Sequence, residues 1–158
     1  MQKTWVHQSK EVLTWAVLVS ASIFVGVVGC NKVSSKVRPV TAQEAYGMLR
    51  NDFAVLVDVR EEEEVRDSGV AAPAKWIPMS KISSDSADWK SFVQTLSKDK
   101  EVIFYCAGGL RAGEAASNLA AKGYKTANMG GFYEWSKAGL PVKSMGGAPA
   151  AATSQVNR

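Results

Sequence analysis

The sequence has few of the residues on which several common kinds of catalytic site depend. Its 158 residues include one histidine, His7, and two cysteines, Cys30 and Cys106. A single histidine near the N-terminus argues against a Ser-His-Asp triad, a Cys-His dyad and a histidine metal site in the rest of the chain. Two cysteines are too few for a small domain built on disulfides. We predict no bound metal and no cofactor.

Excess basic charge is also missing from the part of the chain that would fold. The whole sequence has 19 Lys+Arg and 15 Asp+Glu, but residues 38–141 carry 13 basic and 14 acidic side chains, so the surplus lies in the flanks. No helix or loop carries a basic stripe, and we therefore expect no nucleic-acid partner. The hydrophobic fraction of 46% and the charged fraction of 22% are ordinary for a globular domain.

One long hydrophobic run is present, and it lies near the N-terminus. Residues 12–28 carry no charge and follow a polar start that contains Lys3 and Lys10. As a helix this run would be about 25 Å long, which is short for a bilayer core of about 30 Å. The layout is typical of a bacterial secretion signal. The run ends in Val-Val-Gly-Cys at residues 27–30, which resembles the lipobox of bacterial lipoproteins and implies cleavage before Cys30 and lipidation of its sulfur.

Residues 1–29 are thus a lipoprotein signal peptide or an uncleaved membrane anchor, and both readings stay open. Either one predicts a membrane-anchored protein, and the lipobox implies a domain on the periplasmic or extracytoplasmic side. Lipoproteins carry two or three acyl chains because one chain anchors only marginally. We predict a tether over residues 30–37, a domain over residues 38–142, and a flexible tail rich in Gly, Ala, Ser and Thr over residues 143–158.

Strand and helix signals alternate along the predicted domain. Thr41 and Glu44 have the spacing of a capping box, which predicts a helix start. Continuous apolar runs predict strands buried on both faces. The predicted strands are residues 53–59, 101–105 and 125–129, and the predicted helices are residues 89–96, 111–122 and 132–138. This alternation predicts a three-layer α/β fold, a mostly parallel sheet with helices on both faces, whose site lies at the carboxyl ends of the strands.

A thiol lies where the second predicted strand runs into a helix. The sequence there is Cys-Ala-Gly-Gly-Leu-Arg, from Cys106 to Arg111. Two glycines allow a tight curl of inward-pointing N–H groups, and these groups, the helix N-terminus and Arg111 all favour an anion. The same field favours the thiolate form of Cys106, so that no histidine base is needed. The alternative is a buried structural cysteine before a glycine turn.

The order and spacing of short motifs across residues 38–142 resemble those of single-domain rhodaneses. The loop contains Cys106, Gly109 and Arg111 in a Cys-x-x-Gly-x-Arg pattern, and upstream Asp58 and Arg60 are similar to the family's Asp-x-Arg strand end. The further matching motifs are Gly123-Tyr124, Gly130-Gly131-Phe132 with Trp135, and Ala138-Gly139-Leu140-Pro141-Val142. The segment at residues 69–74 departs from the family, which often has a His after its first Gly.

The resemblance implies sulfur transfer. The Cys106 thiolate would attack the sulfane sulfur of a donor such as thiosulfate, and a thiol or cyanide acceptor would then take that sulfur from the Cys106 persulfide. The N–H groups of Ala107, Gly108, Gly109 and Leu110 would hold the persulfide or the substrate oxyanion. Arg111 would orient the anion. Asp58 and Arg60 would brace the loop rather than react.

Two other functions stay open at this point. A Cys-based phosphatase also holds a thiolate in an anion cradle, but its loop has five residues between Cys and Arg, where this sequence has four. A rhodanese-like module that binds sulfur or a partner with little turnover would keep the same fold. The acidic run at residues 61–64 is expected to be a solvated helix start. If it faces the pocket, it disfavours anionic donors.

Overall fold

The computed structural model describes residues 37–145. The predicted signal or anchor, the tether through residue 36 with its Cys30, and the tail from residue 146 onward lie outside the described residues. Within residues 37–145, no helix is long and apolar enough to cross a membrane.

Short strands and helices alternate through the described residues. The strands are β1 (Arg38–Pro39), β2 (Ala54–Asp58), β3 (Val70–Ala71), β4 (Lys75–Trp76), β5 (Glu101–Cys106), β6 (Lys125–Gly131) and β7 (Val142–Lys143). The helices are α1 (Ala42–Arg50), α2 (Glu62–Ser68), α3 (Met79–Ser83), α4 (Ala87–Thr95), α5 (Leu110–Ala120) and α6 (Phe132–Lys137).

Five of the strands form one parallel sheet in the order β1-β6-β5-β2-β4. The other two, β3 and β7, form a separate antiparallel pair. Buried side chains of α3, α4 and α5 share a hydrophobic cluster with one face of the large sheet, and those of α1 and α6 belong to a cluster on the other face. The predicted α/β fold with helices on both faces of a mostly parallel sheet is therefore confirmed.

The central strand β5 shows why its sequence is apolar throughout. Val102 and Phe104 belong to the cluster that contains α5, whereas Ile103 and Tyr105 belong to the cluster that contains α1 and α6. Side chains alternate between the faces of a strand, and both faces here are covered by helices. The same alternation directs Cys106, the last residue of β5, to the α5 face.

The first helix begins where the capping pattern predicts. The hydroxyl of Thr41 accepts the Glu44 N–H at 3.2 Å, and the Glu44 carboxylate accepts the Thr41 N–H at 2.8 Å. Each side chain thus satisfies a backbone donor that the first turn of a helix leaves free.

Most predicted element boundaries differ from the observed ones by one or two residues, and two of the differences lie at exposed ends of the fold. Strand β2 begins at Ala54, and Phe53 is 67% exposed because it follows a turn in which Asp52 has φ +60°. The Phe53 carbonyl still accepts the Glu101 N–H at 3.0 Å. At the other end, Lys143 was predicted to start the tail, but it pairs in β7 and donates from Nζ to the Ala74 carbonyl at 2.9 Å.

Candidate active site

The thiol of Cys106 lies at the carboxyl end of β5, inside the loop that leads into α5. The residue is 2% exposed, and its Sγ accepts the Gly109 N–H at 3.0 Å. The loop reaches the helix through Gly109, the residue before α5, whose φ of +92° is in the left-handed region that favours glycine. Helix α5 leaves its first N–H groups without an intrahelical acceptor next to this sulfur. A backbone donor is therefore directed at the atom that would carry the negative charge of a thiolate.

The end of β6 supports the loop from the side. The pairing of β5 with β6 shifts between Phe104 and Tyr105, which forms an irregularity typical of sheet regions beside active sites. Beyond this shift, Gly131 lies so close to the loop that an added Cβ would be 2.5 Å from the Ala107 carbonyl oxygen. A glycine is required here because the two backbones approach more closely than any side chain allows.

A polar side chain in β6, Asn128, joins the loop to the sheet. Its Nδ2 donates to the Gly109 carbonyl at 2.9 Å, and its Oδ1 accepts the Gly130 N–H at 2.8 Å. The first bond holds Gly109, the residue whose N–H contacts Sγ, and the second fixes the orientation of the Asn128 amide. Asn128 was not among the residues predicted from the sequence to belong to the site. The available signal was an asparagine within a predicted strand, where that residue type is depleted, two residues before a glycine pair.

Removing the Asn128 amide should disturb the thiol without unfolding the domain. We expect Asn128→Ala to lower the free energy of unfolding by about 1–3 kcal/mol, because two bonds to the backbone are lost. We also expect the reaction of Cys106 with iodoacetamide to slow roughly tenfold or more, because Gly109 is no longer held against Sγ. Denaturant unfolding and timed mass spectrometry measure the two effects.

The matched control is Asn51→Ala. Asn51 is exposed and donates one amide bond to the Gly47 carbonyl at the end of α1. Its removal should leave the reactivity of Cys106 unchanged. Equal alkylation rates in the parent and in Asn128→Ala would contradict the assigned support.

The guanidinium of Arg111 is paired with an acidic side chain from helix α2. Its Nη1 and Nη2 donate to the two carboxylate oxygens of Glu64 at 2.7 Å and 2.8 Å. Hydrogen bonding from Arg111 lowers the pKa of Glu64 from 4.5 to about 2. The pKa of Arg111 is raised, first by its hydrogen bonds to Glu64 and further by negative charge on Glu64 and on the Cys106 sulfur. The residue predicted to orient an anion is thus already paired with one from the chain itself.

Two of the four acidic side chains at residues 61–64 are exposed to solvent, and the other two form hydrogen bonds with distant parts of the domain. Glu62 and Glu63 are exposed in the first turn of α2, as expected for a solvated helix start. Glu64 instead accepts the Glu61 N–H at 2.9 Å and faces Arg111. Glu61 accepts both the N–H and the hydroxyl of Ser80, at 3.1 Å and 2.9 Å. The expectation of a wholly solvated run was therefore wrong for Glu61 and Glu64.

Asp58 and Arg60 form a buried ion pair beside the loop. The carboxylate of Asp58 is 2.7 Å from Arg60 Nη2, which also donates to the Gly69 carbonyl at 2.7 Å. The guanidinium lies 4.0 Å from the ring centroid of Phe132 and 5.7 Å from that of Tyr105. Since Tyr105 precedes Cys106, the pair contacts the base of the loop. The bracing role implied by the resemblance stays a prediction.

The side chain of Tyr105 lies near the Asp58–Arg60 pair, on the face of the sheet opposite to that of the Cys106 thiol. Its hydroxyl accepts the Ala71 N–H at 3.0 Å, and its ring stacks on Phe132 at 6.0 Å between centroids. Burial raises the pKa of Tyr105, and the charge of Asp58 raises it further. The phenol therefore stays neutral and serves as packing and as a hydrogen-bond acceptor.

The buried thiol of Cys106 thus lies in a strand–loop–helix turn that continues into Arg111 in the first turn of α5. The family model described as "Rhodanese-like domain" matches residues 41–138 of this chain. The chain belongs to the rhodanese-like family. Ala107, Gly108 and Gly109 lie between β5 and α5, Leu110 is the first residue of α5, and Cys30 lies outside the described residues.

Named relatives of this rhodanese-like chain include sulfurtransferases. It is 29% identical over 107 residues to "Thiosulfate sulfurtransferase GlpE" of Actinobacillus succinogenes, and the match covers 66% of this chain and 89% of that protein. It is 31% identical over 90 residues to a "Sulfurtransferase" of Allochromatium vinosum, with 56% of this chain and 77% of that protein covered. Sulfur transfer is therefore the chemistry of named members of its family.

A solved structure matches the same domain. The crystal structure of a rhodanese-like domain protein from Staphylococcus aureus is 30% identical, with a TM-score of 0.54. The match covers 68% of this chain and 100% of that protein. The rhodanese-like domain fold is thereby shown for this chain by both sequence and structure.

Proposed function

We propose that this protein is a membrane-anchored sulfurtransferase that carries a sulfane sulfur on Cys106 as a persulfide. The observation that carries the proposal is the Cys106 Sγ, held at the start of α5 with the Gly109 N–H directed at it at 3.0 Å. A thiolate stabilised in this way is a nucleophile that needs no neighbouring base. The sulfurtransferase names of two relatives support the same chemistry.

In the first half-reaction, the Cys106 thiolate attacks the outer sulfur of a donor such as thiosulfate. A new S–S bond forms to Cys106 as the donor's S–S bond breaks, and sulfite leaves with the electron pair of that bond. The two reactants carry three negative charges together, and so do the persulfide anion and sulfite. No proton and no external oxidant or reductant are needed.

In the second half-reaction, an acceptor such as cyanide or a protein thiol attacks the outer sulfur of the persulfide. With cyanide, a C–S bond forms, the S–S bond breaks, and the thiolate of Cys106 returns together with thiocyanate. The N–H groups of residues 107–110 would stabilise the negative outer sulfur between the two steps. Transfer through a covalent intermediate predicts ping-pong kinetics.

The proposed membrane anchor rests on the amino-acid sequence alone. The uncharged run at residues 12–28 and the Val-Val-Gly-Cys ending at residue 30 support an N-terminal anchor, by lipidation of Cys30 or by the run itself. An anchored domain would act on sulfur at a membrane surface, on the extracytoplasmic side.

A second function, a binding module with little turnover, is favoured by one observation. Arg111 is held by Glu64 through two hydrogen bonds, so its charge is already offset by an acid of the chain itself. Such a module would take up sulfur once and release it slowly, or it would bind a partner through the loop.

The deciding experiment compares the full-length parent protein with Cys106→Ser. The parent should gain the mass of one sulfur atom when treated with thiosulfate and should make thiocyanate repeatedly when cyanide is added. We expect Cys106→Ser to lose transfer by roughly a thousandfold or more, because the nucleophile is gone. Cys30→Ser, which changes the only other cysteine, is the control and should keep transfer.

The other outcomes separate the alternatives. One sulfur per molecule on Cys106 without continued thiocyanate release would favour the binding module. Equal transfer by the parent and by Cys106→Ser would overturn the assignment of Cys106.

A further inference from the structure

The side chain that could attract an anion to Cys106 is neutralised within the chain. Arg111 and Glu64 form a bidentate pair, in which the two terminal nitrogens of the guanidinium donate to the two carboxylate oxygens at 2.7 Å and 2.8 Å. The side chains of Arg111 and Glu64 are 31% and 33% exposed. A bidentate Arg–carboxylate pair of this kind is geometrically specific and stronger than a single contact. Because the pair is partly open to solvent, an approaching substrate meets the Glu64 carboxylate together with the Arg111 guanidinium.

Arg60, the other arginine near the loop, does not attract a substrate anion either. Arg60 has 4% of its side chain exposed and is paired with the fully buried Asp58. The groove that contains Gly109 and Leu110 is lined by the exposed Glu114 and by no basic residue among those described. Acidic side chains therefore lie against Arg111 and in the groove beside Gly109.

The pairing of Glu64 persists at working pH. Its pKa is lowered to about 2, so the carboxyl remains ionised at every pH above the ordinary value of 4.5. A lowered acid pKa means that the stabilisation from this pair is complete above pH 4.5 and is lost only as the pH falls toward 2. A change of pH near neutrality does not free Arg111.

We infer that Glu64 is a specificity-determining residue, a built-in competitor for Arg111 that selects against doubly charged sulfur donors such as thiosulfate. The inference rests on the sulfur-transfer function proposed above and names its donor class. A dianion that approaches Cys106 must lie beside Glu64 or displace it, and repulsion from the Glu64 charge offsets the attraction of Arg111. Organic persulfides, which carry at most one negative charge on the reacting group, avoid most of this repulsion.

The step with such a donor balances without a co-reactant. The Cys106 thiolate attacks the outer sulfur of R–S–SH, the S–S bond of the donor breaks, and the thiolate R–S⁻ leaves. The proton stays on the transferred sulfur, and Cys106 becomes Cys–S–SH. The backbone N–H groups of the loop are sufficient to hold this small group, and Arg111 is not required to bind it.

The test compares two donors across three proteins: the full-length parent, Glu64→Gln, and Glu62→Gln. Glu62 belongs to the same turn of α2 but is exposed, so its change removes one acidic charge without freeing Arg111. The donors are thiosulfate and 2-hydroxyethyl persulfide, and sulfur on Cys106 is measured by mass spectrometry and by steady-state transfer to cyanide.

We expect Glu64→Gln to raise kcat/KM for thiosulfate about tenfold, through a lower KM with little change in kcat. The same variant should change kcat/KM for 2-hydroxyethyl persulfide less than about twofold, and Glu62→Gln should change neither. Added salt should lower the parent's KM for thiosulfate, because it screens the repulsion. This donor-dependent split would not arise if Glu64 served only to support the fold.

Three results would overturn the inference. If Glu64 discriminates, the parent uses thiosulfate less well than the persulfide, so equal use of the two donors that is unaltered in Glu64→Gln contradicts the inference. An equal fall with both donors in Glu64→Gln would make Glu64 a support for Arg111 alone. Absence of sulfur on Cys106 with either donor in all three proteins would overturn the sulfur-transfer proposal itself, and the inference with it.

Discussion

Replacing Asp58 with Ala lowers the free energy of unfolding by about 3–5 kcal/mol, the cost of leaving one member of a buried ion pair without its partner. Asp58 is fully buried, and its carboxylate accepts three bonds from the Arg60 guanidinium at 2.7–3.1 Å. Without it, the Arg60 charge keeps its place under Phe132 and Tyr105 but has no counter-charge. Denaturant unfolding followed by fluorescence measures the loss.

Two further variants test whether the loss of stability in Asp58→Ala comes from the buried ion pair. Lys90→Ala breaks an ion pair with Asp85 whose side chains are 60% and 58% exposed, and it should cost less than about 1 kcal/mol. The double variant Asp58→Ala with Arg60→Met removes both charges and should regain part of the loss, because no unpaired charge remains. A loss in Asp58→Ala no larger than in Lys90→Ala would contradict the role of the buried pair.

Gly131→Ala is expected to have the largest effect on the geometry of the thiol loop. The new methyl group would lie 2.5 Å from the Ala107 carbonyl oxygen, and both atoms belong to rigid backbone, so one segment must move. Such overpacking costs about 1–3 kcal/mol. A displacement of the loop by about 1 Å lowers the rate of a positioned reaction by roughly a hundredfold. The rate of sulfur uptake by Cys106, or of its alkylation, measures the effect.

The control for Gly131→Ala is the same substitution at Gly47. This glycine lies within α1, and an added Cβ would meet no atom within 4 Å. Gly47→Ala should stabilise the domain by about 0.5–1 kcal/mol, because alanine is the better helix former, and should leave the thiol unchanged. Unaltered reactivity of Cys106 in Gly131→Ala would show that the loop tolerates the added methyl group.

The sequence predicted the parts of this fold that carry a regular pattern. The run at residues 101–105 is apolar at every position because helices cover both faces of β5, and this pattern predicted a buried strand. The capping pattern of Thr41 and Glu44 predicted the start of α1. Strands such as β1, β3 and β7 have two residues each, which is too short to show a period of two.

The sequence predicted the parts of the candidate site that are close together along the chain, but it did not predict the contacts between distant segments. The position of Cys106 between a strand and a helix follows from local sequence, as do the turn at Gly109 and the order of the loop residues. The partners of the loop come from distant segments: Asn128 is 19 residues from Gly109, and Glu64 is 47 residues from Arg111. No local rule pairs an acid in one helix with a particular arginine in another, so the neutralisation of Arg111 required the structure.

The sheet order has a consequence for the nascent chain. The strand that ends at Cys106 lies between β2, made earlier, and β6, made later, and the loop around the sulfur is held by Asn128 and closely approached by Gly131 from β6. As synthesis proceeds from the N-terminus, β5 can pair with β2 before residues 125–131 exist. The loop around the thiol therefore lacks the contacts of Asn128 and Gly131 until β6 docks, and Cys106 reaches its native environment only then.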